Sequence, residues 1–136
     1  PLMEPKPPSR QPAIRTIMMP KDTNGYGSIF GGVILSLIDL AAAVEAERQA
    51  RRRFVTVAMD KVVFHCPVRV GQIVSLWAET LRIGRTSVTV RVQVIARQRG
   101  EGEDQQVTTA EVTMVSIDED GEPVPIFQDT AGEPGD

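Results

Sequence analysis

Between Thr23 and Val44 the sequence holds a single carboxylate, Asp39, and no Lys, Arg or His. A carboxylate set among apolar and small residues is costly to bury unless it is paired, and such surroundings are those of a general base. The plainer alternative is a satisfied polar contact at a subunit interface. Upstream stand Gly31 and Gly32. At the first turn of a helix, backbone N–H groups lack intrahelical partners and the dipole favours negative charge, so two glycines there would let a substrate oxygen approach as in an oxyanion hole. A glycine pair taken alone equally marks close packing or a turn. Gly25 and Gly27, one residue apart, do not form a phosphate loop, because no Gly-Lys-Ser/Thr follows them. His65 and Cys66 invite a Cys–His dyad, but neighbours on a strand point to opposite faces and cannot share the required hydrogen bond.

The elements that must carry these residues follow from hydrophobic spacing. Phe30 to about Arg51 reads as one long helix, with Phe30, Val33, Ile34, Leu37, Ala41 and Val44 on one stripe. Asp39 falls on the other side with Gly32, Leu35, Ser36, Ala42, Ala43 and Ala46. Neither side is a normal solvated face, so the side away from the rest of the fold needs a cover, most simply a second copy of the same helix. Ile14–Met18 reads as a short strand. Val55–Phe64, Ile73–Ile83, Ser87–Gln98 and Val107–Ile117 read as four more, the third with Val88, Val90, Val92 and Val94 in strict alternation. Gly84 and Arg85 make a tight hairpin turn, and the stretch from Gly100 to Asp104 makes a looser one. One helix with five strands gives an α+β domain, an antiparallel sheet with the helix on one face. Residues 13–117 form this domain. The five prolines of residues 1–12 and the acidic, Pro- and Gly-rich residues 118–136 predict a disordered N-terminal extension and a flexible C-terminal tail.

Spacing then sets a requirement. Asp39 lies seven residues past Gly32, roughly 10 Å along a helix axis. That is too far for both to act on one carbonyl within a chain. If both take part, the helix start of one protomer meets Asp39 of its partner across a two-fold axis.

Composition narrows the chemistry. With 15 Lys and Arg against 18 Asp and Glu, the net charge of -3 argues against a nucleic-acid-binding domain. One His and one Cys cannot supply a Cys/His metal site, so neither a metal nor a cofactor is expected. The lone Cys and the lack of a signal-peptide pattern lead to the expectation of a reducing, cytoplasmic compartment. The apolar run Val33–Val44 is too short to span a bilayer, so no membrane insertion is expected.

The run Met19-Pro20-Lys21-Asp22-Thr23-Asn24, then Gly27-Ser28-Ile29-Phe30-Gly31-Gly32, then Ser36 and Asp39, closely resembles the signature of hotdog-fold acyl-CoA thioesterases, in particular the YciA-like branch. The likeness continues through Val55-Thr56-Val57-Ala58, Phe64, Pro67, Val70-Gly71 and Gly84-Arg85-Thr86-Ser87, and covers residues 15–117. It implies a five-stranded antiparallel sheet wrapped around one long helix, paired into a double-hotdog dimer and commonly assembled as a trimer of dimers. It also implies hydrolysis of acyl-coenzyme A to a free acid and CoA, with CoA as part of substrate and product rather than a cofactor.

By that likeness Asp39 is the catalytic carboxylate, as general base on water or as nucleophile through an anhydride. Asn24 then helps position water or thioester from the opposite protomer; by its residues alone it fits an Asx turn equally well. The N–H of Gly32, with that of Gly31, would polarise the carbonyl. Some hotdog branches carry a hydroxyl residue one turn past the carboxylate, where this chain has Ala43, so support for Asp39 must come from elsewhere. Gly84, Arg85, Thr86 and Ser87 offer a cation, two hydroxyls and N–H groups to the CoA phosphates, and Val57 and Ala58 line the pantetheine path. The rival readings are a non-catalytic acyl-CoA or lipid-binding hotdog module, which leaves Asp39 unexplained, and a hotdog enoyl-CoA hydratase, which would want a histidine beside the carboxylate.

Overall fold

Alternating valines build the middle of the sheet. Val88, Val90, Val92 and Val94 are fully buried, while Arg91 and Gln93 between them face outward, the period-two pattern of a strand with one covered face. The computed structural model describes residues 4–100 and 102–127. Its strands are β1 (Ile14–Ile17), β2 (Arg53–Phe64), β3 (Ile73–Ile83), β4 (Ser87–Arg97) and β5 (Asp104–Ile117), and its helix is α1 (Gly31–Gln49). The strands form one antiparallel sheet in the order β1-β3-β4-β5-β2. The helix lies across the buried face, in contact with β2, β3, β4 and β5. The expected α+β class, one long helix against a five-stranded antiparallel sheet, is therefore the observed architecture.

The buried stripe of α1 differs from the one the periodicity selects. Ile34, Ile38, Ala41, Ala42, Glu45, Ala46 and Gln49 face the sheet, whereas Phe30 and Val44 are 51% and 49% exposed. A helix apolar on every side gives periodicity no face to choose, and the sheet takes the alanine-rich side because small side chains allow close approach. The helix also stops at Gln49 rather than near Arg51, since Ala50 is already extended. Arg53 is consequently the first residue of β2, paired with Ile117. Strand β5 starts at Asp104, earlier than its apolar run, because polar residues continue the ladder to Arg97 of β4.

Described residues on either side of the domain pair with it by hydrogen bonds. The Lys6 N–H donates to Gln49 Oε1 at 2.8 Å and Arg48 Nη2 donates to the Pro7 carbonyl at 2.8 Å. A proline-rich segment outside any helix or strand has no internal ladder of hydrogen bonds, so its free polar groups pair with the end of α1 instead. At the other end, Val124 N–H donates to the Ser116 carbonyl at 2.8 Å and the Ile126 side chain is 1% exposed. These contacts fall within the extension expected over 1–12 and the tail expected over 118–136. Residues 1–3 and 128–136 lie outside the described residues.

Strand β2 is an edge strand, and it is unusually rich in exposed apolar side chains for one. Val55, Val57, Val63 and Phe64 are 39%, 57%, 46% and 51% exposed, and Leu40 on the outward side of α1 is 56% exposed. Natural edge strands generally avoid such surfaces unless something covers them. Among the described residues no helix is long and apolar enough to cross a membrane.

Candidate functional site

Asp39 sits in the middle of α1, half-buried. Thr56 Oγ1 of β2 donates a hydrogen bond to its Oδ1 at 2.5 Å. Such a charge-assisted bond fixes the carboxylate to one rotamer, and Oδ2 has no hydrogen bond among the described residues. The ladder between β2 and β5 is broken next to this contact, since Thr56 pairs with Met114 and Ala58 with Thr113, which leaves Val57 as an extra residue. Bulges of this kind re-aim the side chains beside them and recur near functional sites. Thr56 supplies the support that Ala43 cannot, from the sheet rather than from the helix. Its only mark in the sequence is its place in the Val55–Ala58 run; a threonine in a strand carries no other signal.

Asn24 belongs to the loop before the helix. Its Oδ1 accepts the Tyr26 N–H at 2.8 Å, its Nδ2 donates to Ser28 Oγ at 3.1 Å, and its own N–H donates to the Ser28 carbonyl at 2.9 Å. The Asx turn foreseen as an alternative is therefore what its side chain makes. The Phe30 N–H donates to the Asp22 carbonyl at 3.0 Å and the Ile29 N–H to the Val68 carbonyl at 2.8 Å. These bonds set the angle at which the chain enters α1. Phe30 provides no side-chain cap, so the first helical N–H groups have no local acceptor of that kind.

Gly31 and Gly32 open the helix, both exposed. A Cβ on Gly31 would lie 3.4 Å from Phe64 Cζ, whereas a Cβ on Gly32 would meet nothing within 4 Å. The chain's own packing thus gives no steric reason for a glycine at position 32. Among the described residues no hydrogen bond joins Asn24, Gly31 or Gly32 to Asp39. A surface depression lined by Gln72, Gln98, Gly102, Glu103 and Gln105 contains none of these residues, and neither do two smaller ones beside Trp77.

Val57 is exposed and Ala58 half-buried on β2, the two residues that follow Thr56. The hairpin between β3 and β4 is closed by the Gly84 N–H to the Ser87 carbonyl at 2.8 Å, with Arg85 exposed at its tip. A Cβ on Gly84 would come within 3.0 Å of Ser87 Oγ. His65 Nε2 lies 3.3 Å from Thr109 Oγ1, and Cys66 Sγ donates to the Gln106 carbonyl at 3.6 Å. The two follow the end of β2 and are not bonded to each other. Among the described residues no group of three or more His, Cys, Asp and Glu is arranged to hold a metal ion.

A second carboxylate escaped the sequence reading. Glu45 lies just past the stretch in which Asp39 stands alone, and is 2% exposed. It accepts from Thr80 Oγ1 at 2.7 Å, Gln49 Nε2 at 3.0 Å, and Arg48 Nε and Nη2 at 2.8 and 3.1 Å. The hydrogen bond to Glu45 holds the Arg48 guanidinium above its ordinary pKa, against the opposing effect of burial.

The comparisons with known proteins agree with this fold. Residues 26–103 match the model of the thioesterase superfamily. An uncharacterized acyl-CoA thioester hydrolase of Zymomonas mobilis is 43% identical over 129 residues, covering 93% of this chain and 87% of that protein. The acyl-CoA thioester hydrolase YciA of Escherichia coli is 35% identical over 113 residues, covering 81% of this chain and 86% of its own. The crystal structure of a hexameric hotdog fold thioesterase of Campylobacter jejuni superposes with a TM-score of 0.80 at 44% identity, covering 86% of this chain and 90% of that one. The chain belongs to the thioesterase superfamily and has the hotdog fold.

Proposed function

We propose that this protein is an acyl-CoA thioesterase, which hydrolyses the thioester of acyl-CoA to a free acid and CoA. The observation that carries the reading is Asp39, held by Thr56 through one oxygen with the other unengaged, on a helix whose start offers open N–H groups at Gly31 and Gly32. The names of the Zymomonas and Escherichia relatives support the substrate class.

The site is shared between two chains. The roughly 10 Å of helix between Gly32 and Asp39 separates them within a protomer, and the exposed apolar surface of Leu40, Val44, Val55, Val57 and Val63 is what a second copy would cover. In that dimer the Gly32 N–H, with that of Gly31 beside it, polarises the carbonyl of a thioester whose carbon faces Asp39 of the partner. As general base, Asp39 takes a proton from water while the oxygen adds to the carbonyl carbon. The C–S bond then breaks, and the thiolate recovers the proton. As nucleophile, Asp39 adds directly, CoA leaves, and water cleaves the anhydride.

Asn24 holds the loop that presents the helix start to the partner's site. Val57 and Ala58 flank the pantetheine arm, and Arg85 with Gly84, Thr86 and Ser87 receives the phosphates. CoA is substrate and product, and no cofactor enters these steps. A trimer of dimers is the proposed assembly, supported by the hexameric Campylobacter relative, and the proposed compartment is the cytoplasm. The test is release of free thiol from a panel of acyl-CoAs by the parent and by Asp39→Asn, which should lose about 100-fold or more in kcat. Equal release by both would remove Asp39 from the mechanism, and no release from any chain length would favour a binding module.

A further inference from the structure

After β5 the chain turns back on itself. The Asp118 N–H donates to the Glu122 carbonyl at 2.9 Å and the Gly121 N–H to the Asp118 carbonyl at 3.1 Å, with Gly121 in the left-handed region at φ 82°. Pro123 then bridges to Ile117, and the Val124 N–H reaches the Ser116 carbonyl. The next contact leaves the strand: the Ile126 N–H donates to the carbonyl of Arg85, at the tip of the β3–β4 hairpin, at 2.9 Å. On its other side the Ile126 carbonyl accepts from Arg52 Nε at 2.8 Å, and Arg52 lies in the link between α1 and β2. The Ile126 side chain is anchored in the core at 1% exposure. One buried residue therefore joins the hairpin tip to the end of the helix.

We infer that Val124–Ile126, braced by Arg52, is a positioning clamp that holds the Arg85–Thr86 turn ready for the phosphates of the substrate. The inference rests on the proposed role of that hairpin in binding CoA. A two-residue tip carrying an exposed arginine would otherwise sample several backbone states, and binding would have to order them. The bond from Ile126 to the Arg85 carbonyl removes that freedom beforehand, and the Ser116 N–H to the Thr86 carbonyl at 2.8 Å fixes the adjoining residue. Arg52 acts here through a single N–H donor, Nε, which a neutral amide could also supply. Gln at the same position places Nε2 at the same number of bonds from the backbone as Arg Nε.

The experiment compares steady-state hydrolysis of an acyl-CoA with that of the matching acyl-pantetheine, which lacks the nucleotide and its phosphates. It uses the full chain, the chain ended at Phe127, the chain ended at Pro123, and the full-length variants Arg52→Ala, Arg52→Gln and Arg85→Ala. The clamp predicts that ending at Phe127 changes nothing. Ending at Pro123, or Arg52→Ala, should raise KM for acyl-CoA about three- to tenfold with kcat nearly constant and KM for acyl-pantetheine unmoved. Arg52→Gln should recover most of the loss.

An equal KM rise for both substrates, or none for either, would overturn the clamp, as would failure of Arg52→Gln to recover, which would make the charge itself the binding element. If the chain ended at Pro123 does not fold, the two Arg52 variants decide. A rise for acyl-CoA with Arg85→Ala but not with Arg52→Ala would overturn the clamp and keep the hairpin. No rise with Arg85→Ala would overturn the hairpin reading on which the clamp depends.

Discussion

Asp39 and Glu45 share one helix and differ in what their oxygens have left to do. Glu45 is deeply buried but saturated by Thr80, Arg48 and Gln49, which makes it a structural anchor and a poor base. Asp39 is less buried, with one oxygen held by Thr56 and the other unengaged. Asp39 stands out in the sequence by its isolation; Glu45, one residue past that stretch, carries no such mark, because burial depends on which helix face meets the sheet. Hydrogen bonds to charged groups contribute about 1.5–3 kcal/mol. Thr56→Val should therefore lower kcat about tenfold or more while Thr56→Ser stays near the parent, as read from initial rates of thiol release. If Thr56→Val matches the parent, Asp39 does not depend on Thr56. Gly32 gives a complementary case, since a Cβ there would meet nothing within 4 Å in its own chain. Gly32→Val should change unfolding free energy by no more than about 0.5 kcal/mol and abolish most activity. A variant that folds and hydrolyses normally would mean that nothing approaches the helix start.

The strands were legible in the sequence because one face is covered and the other is wet. Val88 through Val94 write that period directly, and the β3 bounds expected from composition, Ile73 and Ile83, are the observed ones. The helix was legible as an element but not in its orientation, for the reason that hides many buried helices: Phe30 and Val44 look no less apolar than Ile34 and Ile38. Composition averages over residues and so conceals where a single side chain anchors a segment. A single Ile126 within an acidic, proline-rich stretch is enough to pin that stretch to the core. Truncating a buried Ile to Ala costs about 2–5 kcal/mol. Ile126→Ala should accordingly lower stability by an amount in that range, measured by urea unfolding, and an effect below about 0.5 kcal/mol would show that the segment is not anchored there.

At the scale of the molecule, the proposed site is incomplete within a single chain. The carboxylate and the helix start lie apart, and the surface between them and the edge strand is apolar and uncovered, with Leu40 at 56% and Val57 at 57% exposure. That state is unfavourable for a lone protein in water and natural for half of an isologous dimer. A charge placed in this surface should separate the protomers and stop hydrolysis together. Leu40→Arg is expected to sediment as a smaller species with little thiol release, whereas a fully active monomer would refute the shared site. The most direct test is complementation. Asp39→Asn and Gly32→Val are each nearly inactive alone, but a mixed dimer contains one site with an intact Asp39 facing an intact Gly32. Co-expressed in equal amounts, the two variants should recover about a quarter of parental thiol release, because half of the dimers are mixed and each has one working site. Activity no higher than that of the variants alone would contradict a site built from two chains.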